Sequence, residues 1–249
     1  MKRVLLLAAL FIIFVSAITD DKKTIWLCGD STIAIKEIKA YPETGWGMPF
    51  VYFWDSSIQV KNLAKNGRST KTFISENLWQ QVLDGAREGD YVLIQFGHND
   101  EAVEKKERYA TPIEFKANLV KFITEARLKK ATPILLTPVS RRKFDTLGIA
   151  QETHPTYSGY VKEVAQEEDV LFIDLDTQSR ALYQQFGKEN SNLLFMQLKA
   201  GEHPNYPEGR NDNTHFNELG ARLIAQLVLK NIKELNTGLK NHIVISKIK

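Results

Sequence analysis

The ten residues Tyr91–Asp100, YVLIQFGHND, decide the fold of this chain. Five of the first six are apolar or aromatic, and the run stops at a glycine-bearing polar turn. A helix that short would not bury itself, so the pattern is that of a strand with no solvent face. Strands of that kind belong to parallel sheets covered by helices on both sides. Four other short apolar runs fit the same sheet: Thr24–Leu27, Ile58–Leu63, Pro133–Leu136 and Val170–Ile173. Helical segments fall between them. Thr111-Pro112-Ile113-Glu114 opens one with a capping threonine, proline at the first position and glutamate three after the cap. Behind it Phe115, Leu119, Phe122 and Ile123 recur at helical spacing. Glu76–Leu83, Tyr157–Gln166, Leu175–Phe186 and Asn217–Leu235 supply the rest. The alternation predicts one doubly wound α/β domain with a five-stranded parallel sheet.

Length agrees, since 249 residues support one sizeable core and are few for two. Met1–Ala17 stands apart from the domain, which is expected to span 18–249. Lys2 and Arg3 precede the apolar run Val4–Val15, and Val15-Ser16-Ala17 closes it on small residues. That is the layout of a secretory signal cleaved after Ala17. A retained anchor is the alternative, but the run is short for a span of about 20 residues. The expectation is export, to the periplasm or beyond, with no stable membrane anchor afterwards. Without this segment the chain carries 31 basic and 30 acidic residues, so charge gives no reason to expect a nucleic-acid partner. The single cysteine, Cys28, rules out an internal disulfide.

In open parallel sheets, ligands sit beyond the carboxyl ends of the strands. The turns to examine are therefore Gly29–Ser31, Asn66–Ser69 and Gly97–Asp100. Ser31 follows a strand, a glycine and an aspartate, which places a hydroxyl at the mouth of the sheet. It is a candidate nucleophile if a base takes its proton, and a helix cap otherwise. Asp212-Asn213-Thr214-His215 puts an acid three residues before a histidine, ahead of the last amphipathic segment. On one turn, Asp212 can hold one ring nitrogen of His215 and leave the other for Ser31. Alternatively, Asp212 caps a helix and His215 packs at its start. Gly67, Asn99 and the N–H of Ser31 are candidate donors to a developing oxyanion.

The blocks GDST (Gly29–Thr32), NGRS (Asn66–Ser69), GHND (Gly97–Asp100) and DNTHF (Asp212–Phe216) resemble, in order and spacing, the four blocks of the SGNH, or GDSL-like, hydrolases. GDST, GRS and D-x-x-HF, with YPETGWG at Tyr41–Gly47 and the Arg141–Phe144 stretch before Tyr157, are similar to the rhamnogalacturonan acetylesterase branch. The resemblance implies a flavodoxin-like three-layer α/β/α sandwich and ester hydrolysis through an acyl-serine, with no metal or cofactor. It assigns the nucleophile to Ser31, the acid and base to Asp212 and His215, and the oxyanion donors to Ser31, Gly67 and Asn99. The sequence departs from the branch at Asn66, where a small residue is expected.

Substrate contacts are expected at Arg68, His98 and Trp46. Arg68 could meet an acidic sugar or form a surface salt bridge. His98 could also be a second base, a metal ligand or a turn histidine held by neighbouring backbone. Trp46 and Trp54 could stack on sugar rings or pack in the core. The cluster Glu104–Arg108, mixed in sign, reads as a solvated loop. His203, Asp212 and His215 match no zinc spacing. The expected substrate is acetylated polysaccharide or oligosaccharide, most specifically rhamnogalacturonan. The alternatives are acetylxylan, a lipid or thioester, or an inactive carbohydrate-binding homologue.

Overall fold

The buried strand expected at Tyr91 is the middle of a sheet. The computed structural model describes residues 22–244; Met1–Ala17, the expected export signal, lies outside them. In chain order the elements are β1 (Lys23–Gly29), α1 (Gly47–Phe50), β2 (Ile58–Asn62), α2 (Thr70–Ser75), α3 (Leu78–Gly85), β3 (Tyr91–Gln95), α4 (Pro112–Leu128) and β4 (Thr132–Leu136). They continue with α5 (Pro155–Glu167), β5 (Leu171–Ile173), α6 (Leu175–Asn190), β6 (Phe195–Leu198), β7 (Arg210–Phe216) and α7 (Glu218–Glu234). Five strands form one sheet in the order β2-β1-β3-β4-β5, every neighbouring pair parallel. This is the flavodoxin-like order, whose switch point lies between β1 and β3.

Side chains alternate across the sheet because successive Cβ atoms of a strand point to opposite faces. Ile25, Leu27, Leu93, Ile134 and Leu136 pack on the side of α1, α6 and α7. Trp26, Cys28, Val92, Ile94 and Leu135 pack against α2, α3, α4 and α5. Helix α4 starts as its sequence dictates. The Thr111 hydroxyl accepts from the Glu114 N–H, and the Glu114 carboxylate accepts from the Thr111 N–H at 2.8 Å. Phe115, Leu119, Phe122 and Ile123 are all buried, each worth about 2 kcal/mol in area removed from water.

One element departs from expectation. Asp212 and His215 do not sit in a simple turn but on β7, which pairs antiparallel with β6 in a separate two-stranded sheet. Phe195 pairs with Phe216, and Met196 with Asp212. Asn213, Thr214 and His215 therefore bulge out between paired positions. A bulge bends its strand and re-aims side chains, and here it brings His215 back over Asp212.

The hairpin is tied down by the start of α7. Asn217, not Asp212, caps that helix, accepting from the Gly220 N–H at 3.1 Å. Its side-chain amide donates to the carbonyls of Leu193 and Phe195 at 2.9 and 3.2 Å. Gly220 makes this approach possible, because a Cβ there would lie 1.9 Å from the Leu194 carbonyl oxygen. We expect Gly220→Ala to destabilise the protein by on the order of 2 kcal/mol, as overpacking against backbone does. A denaturant midpoint unchanged from the wild type would refute this docking.

Candidate active site

The turns after β1, β2 and β3 open together at the carboxyl edge of the sheet, around a cleft of about 770 Å³ that Ser31, Gly67, Asn99 and His215 all line. Ser31 follows β1 at the switch point. Its Oγ lies 2.9 Å from Nε2 of His215. On the far side of the ring, Nδ1 lies 2.7 Å from Oδ2 of Asp212. The structure thus brings together the three residues singled out as nucleophile, base and acid.

Asp212 is held by more than the histidine. Its Oδ1 accepts from the N–H groups of Thr214 and His215 at 2.8 and 3.1 Å, and its Oδ2 also accepts from Arg210 at 2.8 Å. Burial would push this carboxyl up, but His215, Arg210 and the Thr214 N–H outweigh burial and hold it well below the usual carboxylate range. An ionised carboxylate only accepts, so the proton between Asp212 and His215 is on Nδ1. In the neutral imidazole this tautomer leaves Nε2 as the acceptor that faces the Ser31 hydroxyl. Arg210, two residues before Asp212, was not singled out in the sequence. The R-x-D spacing would have marked it only had β7 been recognised as a strand, where residues two apart share a face.

The neighbouring turns hold possible donors. Gly67 has φ +76°, a conformation that favours glycine. Neither its N–H nor that of Ser31 meets an acceptor among the described residues. The Asn99 amide Nδ2 donates one hydrogen to the Arg68 carbonyl at 2.9 Å. Asp100 joins the two turns from below. Its buried carboxylate accepts from the N–H and hydroxyl of Thr70, at 2.8 and 2.6 Å, and from the Gly97 N–H at 3.1 Å. Burial pushes it up to about 7 despite those bonds. Asn66 has a local reason too: its side-chain carbonyl accepts from the buried Lys36 at 2.7 Å, and Lys36 pairs with Glu43 at 2.8 Å.

His98 occupies the floor of the cleft. Its ring is not held by backbone; both ring nitrogens are buried without a hydrogen-bond partner among the described residues. Nδ1 lies 3.3 Å from Asp30, and the ring packs on that of His154 at 4.1 Å between centroids. His154 meets Glu101 at 2.8 Å. Burial and the neighbouring His154 push His98 down to about 4, against the pull of Asp30. Burial opposes the charge of Asp30, but His98 and the hydrogen bonds of Thr32 keep it at about 2.

Two expected substrate contacts are corrected. Trp46 is fully buried; its indole N–H donates to Gln95 at 3.0 Å and its ring packs edge-on against Phe50, so it cannot reach a sugar. Trp54 is buried against Phe50 as well. The Arg68 guanidinium turns to Glu76 at 2.8 Å and to the Asn66 carbonyl, so it forms the surface salt bridge. Within the cluster read as a solvated loop, Arg108 is folded into the cleft, donating to Asn99 Oδ1 at 3.1 Å. Arg141, across the cleft, donates to the Thr214 hydroxyl at 2.6 Å. His203 sits in the turn before β7, its Nδ1 accepting from the Asn205 N–H.

A sequence model of the GDSL-like Lipase/Acylhydrolase family matches residues 27–223. The chain belongs to that family. Two similar members come from Bacillus subtilis. Rhamnogalacturonan acetylesterase RhgT is 41% identical over 88% of this chain and 94% of its own. The probable rhamnogalacturonan acetylesterase YesY is 38% identical over 88% and 97%. The crystal structure of YxiM, also from Bacillus subtilis, superimposes with a TM-score of 0.74 at 29% identity, covering 86% of this chain and 56% of that longer one.

In this GDSL-like acylhydrolase the buried His98 ties stability to acid. Its folded value, about 4, lies below the ordinary value of about 6.5, so the unfolded chain takes up the proton first as pH falls. Stability is complete above about 6.5 and declines until pH reaches about 4. Asp100 works in the opposite direction over the same range, and comparison with a variant cancels it. Between pH 7 and 4 the wild type should lose up to about 3 kcal/mol more than His98→Asn. Parallel loss in both proteins, followed by unfolding at each pH, would contradict the assignment.

Proposed function

We propose that this protein is a secreted serine esterase that removes acetyl groups from plant cell-wall polysaccharide, with rhamnogalacturonan as the preferred backbone. The observation that carries the chemistry is the unbroken line from the Asp212 carboxylate through His215 to the Ser31 hydroxyl. The substrate rests on the relatives, two of which bear the rhamnogalacturonan acetylesterase name. The cleft is compatible with it: an open trough lined by charged and polar side chains, including Glu101, Glu104, Lys105 and Arg141, suits a hydroxyl-rich chain better than an acyl tail. The basic start and apolar run of Met1–Ala17 support export.

In this mechanism, His215 Nε2 accepts the Ser31 proton as Oγ attacks the acetyl carbonyl carbon. The carbonyl electrons move onto oxygen, which is received by the N–H groups of Ser31 and Gly67 and by the free hydrogen of Asn99 Nδ2. Collapse breaks the ester bond; the sugar oxygen leaves with the proton returned by His215. Water then attacks the acetyl-serine carbon, again giving a proton to His215; collapse breaks the bond to Ser31 Oγ, His215 returns the proton to that oxygen, and acetic acid departs and ionises to acetate. Asp212 stays ionised throughout and stabilises the imidazolium.

Acetate release measured side by side on acetylated rhamnogalacturonan, acetylated xylan and an aryl acetate tests the reading. The first should be turned over best. Ser31→Ala should lower turnover by several powers of ten with the fold retained. Full activity in folded Ser31→Ala would sink the mechanism, and preference for xylan would sink the substrate. Asp212→Asn should reduce kcat by up to about ten-thousandfold, because the amide can donate to Nδ1 and favour the wrong tautomer. An unchanged kcat would remove Asp212 from the triad.

A further inference from the structure

The oxyanion donor Asn99 works only if its amide faces the right way, and nothing in a side-chain amide fixes that by itself. Rotation by half a turn would exchange Nδ2 for Oδ1 and present a lone pair to a developing negative charge. Two contacts choose between the orientations. The Arg68 carbonyl, an acceptor, lies 2.9 Å from Nδ2. The Arg108 Nη1, a donor with no acceptor capacity, lies 3.1 Å from Oδ1. We propose that Arg108 is a positioning residue for catalysis: its guanidinium locks and polarises the Asn99 amide so that the second Nδ2 hydrogen points into the oxyanion hole. The proposal rests on the oxyanion role given above to Asn99 and Gly67.

The same guanidinium braces the other side of the hole. Nη1 also lies 3.4 Å from the Gly67 carbonyl, and a Cβ at Gly67 would come within 2.9 Å of it. Arg108 thus packs directly on the glycine whose N–H is a second donor. Its side chain is only 21% exposed, and the nearest carboxylate, that of Glu107, is 72% exposed and 3.8 Å away. The cation is therefore weakly neutralised. The backbone delivers it there through the Arg108 N–H bonded to Lys105 O at 3.0 Å and the Ala110 N–H bonded to Asp100 O at 3.1 Å. A cation donating to an amide oxygen draws electron density from the nitrogen, so its N–H becomes a stronger donor. That cooperative gain is larger in a site of low dielectric than in water.

A double-mutant cycle on the full chain separates this role from others. Asn99→Ala should lower kcat by about a hundredfold with little change in KM. Arg108→Ala should lower kcat by about tenfold, also at nearly constant KM. In the Asn99→Ala background, Arg108→Ala should cost no more than about threefold, because its main target is gone and only the contact with Gly67 remains. Millimolar guanidinium should restore part of the activity of Arg108→Ala and none of that of Asn99→Ala. If Arg108→Ala melts below the assay temperature, Arg108→Lys carries the same cycle. Equal losses in both backgrounds, or a rise in KM alone, would overturn the proposal by making Arg108 an independent charge or a substrate contact. If Asn99→Ala left kcat unchanged, the oxyanion assignment itself would fall, a different result from an uncoupled Arg108.

Discussion

The parallel register of β1 against β3, with Gly29 opposite Gln95, is the constraint on which the cleft depends. Because the strands run the same way and end together, the turns bearing Ser31 and Asn99 emerge side by side. A slip of one residue would turn Ile25 and Leu27 to the wrong layer. Polar contacts pin the same register. Gln95, buried at the end of β3, accepts from the Trp46 indole and donates to the Thr32 hydroxyl at 2.7 Å; Thr32 in turn donates to Asp30. Each member of this chain is satisfied by the next, and satisfied buried networks specify one arrangement.

Asp30 and Asp100 stand in the turns after β1 and β3, and Asp212 opens the bulge of β7; taking a charge out of water is costly unless it is compensated. His215 and Arg210 compensate Asp212 and His98 compensates Asp30, and all three carboxylates also accept from backbone N–H groups. Asp30 binds Thr32, Asp100 binds Thr70 and Gly97, and Asp212 binds Thr214 and His215. Each carboxylate therefore fixes the shape of the turn it belongs to. The cost of burying it is repaid as rigidity where Ser31, Asn99 and His215 must hold position.

What the sequence made legible follows from how strong each local signal was. The five sheet strands were readable because apolar runs ending in polar turns have few other solutions, and the capping box at Thr111 marked α4. Ser31, Asp212 and His215 were each ambiguous alone and became a candidate triad only through their blocks taken together. The β6–β7 hairpin was not readable. Arg210–Phe216 is rich in Asn and Asp, which are poor strand formers, and the three-residue bulge destroys any alternation. Trp46 misled because an aromatic residue in a loop has the same signature whether it faces a sugar or a core. Arg108 was hidden among four charged neighbours; pattern alone cannot tell which member of such a cluster folds inward, since that depends on where the Ala110 N–H finds its acceptor.

The hairpin is also where stability and chemistry meet. Ser31 follows a strand of the main sheet, whereas Asp212 and His215 belong to a two-stranded ribbon, a structure that is marginal by itself. The ribbon is held by apolar contacts: Phe195 packs on Tyr183 of α6 at 5.2 Å and on Phe216 at 5.1 Å, and all three are buried. Phe216 immediately follows His215. The 2.9 Å contact between Ser31 and His215 thus depends on aromatic packing one residue away as well as on the backbone bonds of Asn213 to Arg142 and of Phe216 to Thr44, both 2.8 Å. A loss of that packing would move the imidazole before it unfolded the sheet, since β1 through β5 share none of the ribbon's hydrogen bonds.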